Sequence, residues 1–177
     1  MIAALIALSF LVVVLLAALL AARGVRLRRP KARGRRILVP FTGGTLDRTV
    51  LGAAIRIAQA QEATLVPAYL LRVPLSFPED SPLANEVEVA LPLLEAVEHA
   101  ALRAGVPVDA RVEKGRTPTH ALRRLWDVEH FDWIVAPAPS SGNGHNGNGG
   151  FTLKDVSWIL EHAPSETVLL KPAPLAP

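Results

Sequence analysis

Two glycine-bearing turns and one helix start are the places in this sequence where residue types and spacing could do chemistry. Thr42-Gly43-Gly44-Thr45 closes a short apolar run, and Gly142, Gly144, Gly147, Gly149 and Gly150 punctuate the segment Ser140 to Gly150, just ahead of Thr152 and Lys154. Glycine amides with free backbone geometry can form a concave anion-binding nest, and a helix opening at Thr152 would add the positive end of its dipole. The chemistry to expect is the holding of a phosphate-bearing ligand. Thr42, Gly43, Gly44, Ala136, Ser140, Gly142, Gly144, Thr152 and Lys154 form the candidate binding set. The competing reading of 140–150 is a plain Asn/Gly-rich connection. It carries more weight, because a glycine-rich loop alone is weak evidence and no Walker Lys-Ser/Thr pair follows it.

Other chemistries find little support. The five histidines His99, His120, His130, His145 and His162 show no metal-ligand spacing, so helix-end or solvent-facing roles are expected and no metal is. Glu86, Glu88, Glu95 and Glu98 read as a solvated helix face, not as paired catalytic acids. No Gly-x-Ser-x-Gly elbow and no His-Glu-x-x-His pair occurs, and with no cysteine there is no thiolate nucleophile or disulfide. No enzymatic activity is expected. Trp126, Trp133 and Trp158 sit in or beside periodic apolar positions and read as core or dimer-interface residues.

The elements that must position the binding set can be read from periodicity. Ile37 to Phe41 is a nearly continuous apolar run, the signature of a strand buried on both faces. A helix with Leu46, Val50, Ala54, Ile57 and Ala58 on one face follows, with Thr45 as its expected N-cap and Asp47 in its first turn. Ala63 to Leu71 reads as a second strand, in which Pro67 demands a bulge or an edge position. Val73 to Pro82 is a loop. Val89, Leu93, Ala96, Val97 and Ala100 mark a helix with Pro92 in its first turn and Gly105 at its end. Val106 to Val112 is the third strand. Thr117 caps the next helix with Pro118 at its first position, Phe131 to Ala136 is the fourth strand, Thr152-x-x-Asp155 is a variant capping box, and Thr167 to Leu170 is the fifth strand. The alternation predicts an α/β fold: a five-stranded parallel sheet with helices on both faces and a ligand crevice past the carboxyl ends of the strands.

Ahead of this domain, Met1 to Ala22 is apolar except for Ser9 and reaches about 30 Å as a helix, the thickness of a bilayer's hydrocarbon core. The sequence therefore predicts a transmembrane helix over 1–22, a basic linker over 23–36, the α/β domain over 37–172 and a Pro-rich tail over 173–177. No Lys or Arg precedes the apolar run, whereas Arg23, Arg26, Arg28, Arg29, Lys31, Arg33, Arg35 and Arg36 follow it without an acid. Such a block stays in the cytoplasm, so an uncleaved single-pass helix with the N-terminus outside and the domain cytoplasmic is expected. The block is also suited to anionic lipid head groups. It holds eight of the 19 basic residues, leaving 11 against 16 acids and a net charge near −5 for the remainder, so nucleic-acid binding is not expected.

Three stretches carry a family resemblance. Ile37-Leu38-Val39 leads into a turn and an Ala-rich helix. Gly115-Arg116-Thr117-Pro118 precedes a helix and then Asp132-Trp133-Ile134-Val135. Trp158-Ile159-Leu160-Glu161-His162-Ala163-Pro164 runs into Thr167-Val168-Leu169-Leu170. In order and spacing these resemble the universal stress protein family from Ile37 to Pro172. The resemblance implies strand order 3-2-1-4-5, dimerisation through the last strand and, in many members, ATP in the crevice. It also exposes departures. The Asp that binding members carry after the first strand is matched here by Thr42, and Leu153 and Lys154 stand where they carry Gly-Ser or Gly-Thr. ATP binding is therefore expected to be weak. The expected function is a membrane-anchored, non-catalytic regulatory or binding module, the alternatives being a working ATP binder or an accessory subunit of a membrane transporter.

Overall fold

In the computed structural model, residues 34–43, 46–79, 81, 83–139 and 150–171 are described, with the backbone alone at 84–86. The apolar run 1–22, the basic residues up to Arg33 and the tail beyond Lys171 lie outside them. Among the described residues no helix is long and apolar enough to cross a membrane.

The chain alternates strand and helix: β1 (Arg36–Phe41), α1 (Arg48–Ala60), β2 (Thr64–Arg72), α2 (Ala84–Arg103), β3 (Arg111–Gly115), α3 (Pro118–Val128), β4 (Trp133–Pro137), α4 (Leu153–His162) and β5 (Glu166–Leu170). The strands form one parallel sheet in the order β3-β2-β1-β4-β5. β1 is central, and its run from Ile37 to Phe41 is buried throughout, as a strand with helices on both faces requires. Leu38, Val66, Leu70 and Ile134 point to one face and meet Leu122, Leu125, Val156 and Ile159 of α3 and α4. Ile37, Val39, Leu65 and Val135 point to the other, against Val50, Ala54 and Ala58 of α1 and Val97 and Ala101 of α2.

Several expected boundaries move. The N-cap of α1 is Asp47, whose Oδ1 accepts from the amides of Thr49 at 2.7 Å and Val50 at 3.1 Å. Thr45 lies outside the described residues. An aspartate two positions later competes for the same role and adds a charge at the helix's positive end. Pro92 is inside α2, on its exposed side, and α2 starts at Ala84 without a side-chain cap. The helix spares one amide bond there instead of starting at the proline. Its other end is as expected, with Gly105 at φ 73 in the left-handed region.

Pro67 sits in an interior strand, neither at an edge nor in a bulge. Leu65 bridges Val108 and Ala68 pairs with Arg111, so the register is constant, and the missing amide hydrogen falls where the ladder to β3 is interrupted. That interruption also displaces β3 to Arg111–Gly115, later than the apolar run Val106 to Val112 suggested. As an edge strand it tolerates the half-exposed Arg111, Glu113 and Lys114. Gly115 ends it because a Cβ there would lie 2.6 Å from the Ala121 backbone nitrogen, so only glycine permits the close approach of β3 to α3. β4 and β5 likewise shift by one or two residues.

Candidate functional site

The sheet order reverses between β1 and β4, which pair directly at Ile37 with Trp133 and Leu38 with Ile134. The sequence predicts a ligand crevice past their carboxyl ends, where 44–45 after β1 and 140–149 after β4 lie outside the described residues. Thr42 is half-buried at the end of β1, and Gly43 has φ 79, a turn conformation that glycine adopts without strain. Ala136 belongs to β4 itself, and its side chain is fully buried, so it offers a ligand backbone at most. Gly44, Ser140, Gly142 and Gly144 lie outside the described residues, and so does the nest read into the Gly-rich loop. Thr42, Gly43, Ala136, Thr152 and Lys154 remain as the described part of the binding set.

The start of α4 is where the geometry is most informative. Thr152 is its N-cap, and the expected capping box is complete: Thr152 Oγ1 accepts from the Asp155 amide at 3.2 Å, while the Asp155 carboxylate accepts from the Thr152 amide at 3.0 Å and from its hydroxyl at 2.6 Å. The Thr152 amide and hydroxyl are thus occupied by the protein's own carboxylate. Leu153 is 71% exposed and Lys154 points to solvent. A helix start that holds a carboxylate presents negative charge where a phosphate would need positive.

A groove of about 470 Å³ opens at the other end of the sheet, between Arg35, Gln61, His130, Asp132, Trp133 and Glu166. It mixes charges of both signs. The Arg36 amide donates to Asp132 at 2.7 Å, and the Arg36 side chain enters an ion-pair network with Asp109, Glu129 and Arg111. Trp126 and Trp158 stack face to face at 5.2 Å, with His162 stacked on Trp158 at 4.9 Å and Arg123 over it at 5.4 Å. Their faces are occupied by each other, as expected of packing residues. Trp133 packs into the opposite layer. Among the described residues no cluster of His, Asp and Glu is placed to hold a metal. Partial burial pushes the Glu113 carboxyl up from the ordinary glutamate value, against Arg124 and Arg111, which pull it down, and with Glu129 adding to the rise.

Sequence reasoning missed the contacts around the loop after β2. Arg116, read only as part of a turn, donates to the carbonyls of Pro74 at 2.5 Å and Phe77 at 2.9 Å. These partners are about forty positions away in sequence, and no local pattern signals them.

The family model described as the universal stress protein family matches residues 34–171. The chain belongs to the universal stress protein family. No curated protein matches it. Among solved structures it is similar to a universal stress protein UspA from Lactobacillus plantarum, at 20% identity and TM-score 0.58 over 78% of this chain and 99% of that one. It is also similar to a universal stress protein in complex with cAMP (18%, TM-score 0.55, 79% and 98% covered). A universal stress protein family protein from Arabidopsis thaliana with AMP bound is comparable (14%, TM-score 0.53, 78% and 92% covered). At such identities the likeness establishes the universal stress protein fold, and the strand order agrees with it.

Proposed function

We propose that this universal stress protein-family chain is a membrane-tethered, non-catalytic binding module whose crevice is a degenerate nucleotide site, and that it acts by engaging a partner. The observation that carries the reading is the Asp155 carboxylate bonded to the amide and hydroxyl of Thr152. It takes two donors at this helix start and opposes a second negative charge there. Thr42, neutral at the end of β1, and Leu153, with a side chain at the start of α4, support the same reading. The tether rests on sequence: an apolar run over 1–22 followed by eight basic residues and no acid, a block that also suits anionic lipid head groups.

Titration calorimetry of the full-length chain with ATP and with AMP tests the crevice. Binding that is absent or in the millimolar range is expected. The second reading, a working nucleotide binder, is favoured by the neighbours solved with cAMP and with AMP, and micromolar affinity would put it in place of the first. The tether has its own test. Protease added to intact cells is expected to spare the domain, and its digestion would overturn the cytoplasmic placement.

A further inference from the structure

The loop that leaves β2 at the crevice end of the sheet is held by side chains from the β3–α3 connection. Arg116 Nη1 donates to the carbonyls of Pro74, Phe77 and, at 3.4 Å, Val73. Lys114 Nζ reaches the Ser81 carbonyl at 2.8 Å. Beyond this loop α2 begins at Ala84, and its N-cap Leu83 supplies no side-chain hydrogen bond. The loop's far limb depends on one more contact, between Glu79 and His120.

That contact has an unusual feature. Glu79 Oε1 is buried yet accepts no hydrogen bond, although His120 Nδ1 is 3.2 Å away and Arg124 Nη1 is 3.7 Å away. The same Nδ1 accepts the Arg116 backbone amide at 3.4 Å. One ring nitrogen thus faces a donor and an acceptor, and a single protonation state cannot serve both. When Nδ1 is bare it keeps the long bond from Arg116 and leaves Glu79 Oε1 unsatisfied. When the ring is an imidazolium, its charge pairs with the carboxylate across that 3.2 Å contact, and Nδ1, now carrying a hydrogen, gives up the long Arg116 bond.

We propose that His120 and Glu79 form a proton-operated latch on the 73–79 loop and the start of α2. The charged group beside His120 is Glu79 from the loop; Arg124, one turn along α3, lies 3.7 Å from that same carboxylate, and Arg116 gives the ring its backbone amide while its guanidinium holds the loop carbonyls. Arg124 is farther from the carboxylate than Nδ1 and half exposed, so the carboxylate contact is the one the added proton completes. An imidazole changes charge in the range of about pH 5 to 8, so the limb tightens as pH falls through that range. The latch is independent of whether the crevice binds nucleotide.

Hydrogen exchange of the full-length chain, read by mass spectrometry at about pH 5.5 and about pH 8 and corrected for intrinsic rates, tests the latch across the imidazole range. Peptides covering 73–79 and the first turns of α2 are expected to exchange about threefold more slowly at the lower pH, the modest size that a partly exposed ion pair provides. Glu79→Gln, which keeps the shape and removes the charge, and His120→Phe, which keeps the ring and removes the proton site, should each abolish the difference and leave β1 and β4 unchanged. Equal protection of the wild-type loop at the two pH values overturns the proposal. So does persistence of the difference in either variant.

Discussion

The Arg36 guanidinium donates to Glu129 Oε2 at 2.6 Å. Through the same Nη2 it also reaches Asp109 at 3.0 Å, and Arg111 bridges those two acids from the other side. The first residue of β1 is thereby tied to the end of α3 and to the approach to β3, at the point where the segment from the basic block enters the domain.

Removing Glu129 should be costly because two guanidinium groups lose a partner at once. The Arg36 and Glu129 side chains are 15% and 17% exposed, so water replaces the lost bonds only in part. Glu129→Ala is expected to destabilise by about 1–3 kcal/mol. Arg36→Met together with Glu129→Leu should cost less than the two single changes added, since no charge is then left unpaired. Thermal unfolding of the three variants checks this, and a Glu129→Ala protein as stable as wild type would remove the network from the account.

Glu113 supplies a pH dependence of opposite sign to the usual carboxylate. Its folded value lies above the ordinary glutamate value because burial disfavours the charged form, so the native state holds the proton more tightly than the unfolded chain does. Stability from this group therefore falls as pH rises from the ordinary glutamate value through the raised folded one, and is regained on acidification. Glu113→Gln should unfold at a higher temperature than wild type at neutral pH, and the gap should close below the ordinary glutamate range. Calorimetry across that pH series decides it. A glutamine variant less stable at pH 7 would mean that attraction to Arg124 and Arg111 outweighs burial.

Local signals were legible and long-range ones were not. Thr117 with Pro118, Thr152 with Asp155, and Gly105 each act within one helical turn, and each stands where the sequence places it. Asp47 and Thr45 are both good caps two positions apart, and local preference does not choose between them. The register of β3 depends on β2, forty-three positions upstream, and could not be read from Val106 to Val112 alone. The same distance hides the Arg116 and Glu79 contacts. In the crevice, Thr42 and Lys154 were legible as substitutions, whereas the occupation of the helix start by Asp155 needed the side-chain geometry.

The outer edge of β5 offers a dimerisation test. Among the described strands β5 pairs with β4 alone, and its Thr167, Val168, Leu169 and Leu170 are half-buried. An apolar sheet edge is a template for a second strand, and the resemblance implies that the partner is a second copy of this chain. Val168→Pro or Val168→Lys is expected to convert dimers to monomers in light scattering of the full-length protein. A wild-type chain that stays monomeric at high concentration would end the idea.

The last prediction concerns restoring a nucleotide site. The resemblance assigns binding members an Asp after β1 and a Gly-Ser or Gly-Thr step at the start of the last helix. Here Thr42 is neutral, and Leu153 brings a side chain where backbone must come close. Each lost hydrogen bond to a charged or polar ligand group costs on the order of 1.5 to 3 kcal/mol, so two amount to roughly two to four powers of ten in affinity. Lys154 recovers part of this by attraction to phosphate, but a flexible lysine at a helix N-terminus opposes the dipole. The Asp155 carboxylate adds repulsion, since it is held at the helix start by Thr152. Thr42→Asp with Leu153→Gly and Lys154→Ser is therefore expected to strengthen ATP binding at least about tenfold over the wild-type chain. Adding Asp155→Asn, which keeps an acceptor for Thr152 and removes the charge, should strengthen it further and make it less sensitive to salt. Calorimetric titration of the wild-type, triple and quadruple variants at two ionic strengths separates the causes. No gain in the triple variant would mean that these positions are not the anchors, and no further gain from Asp155→Asn would mean that its carboxylate is not what excludes the phosphate.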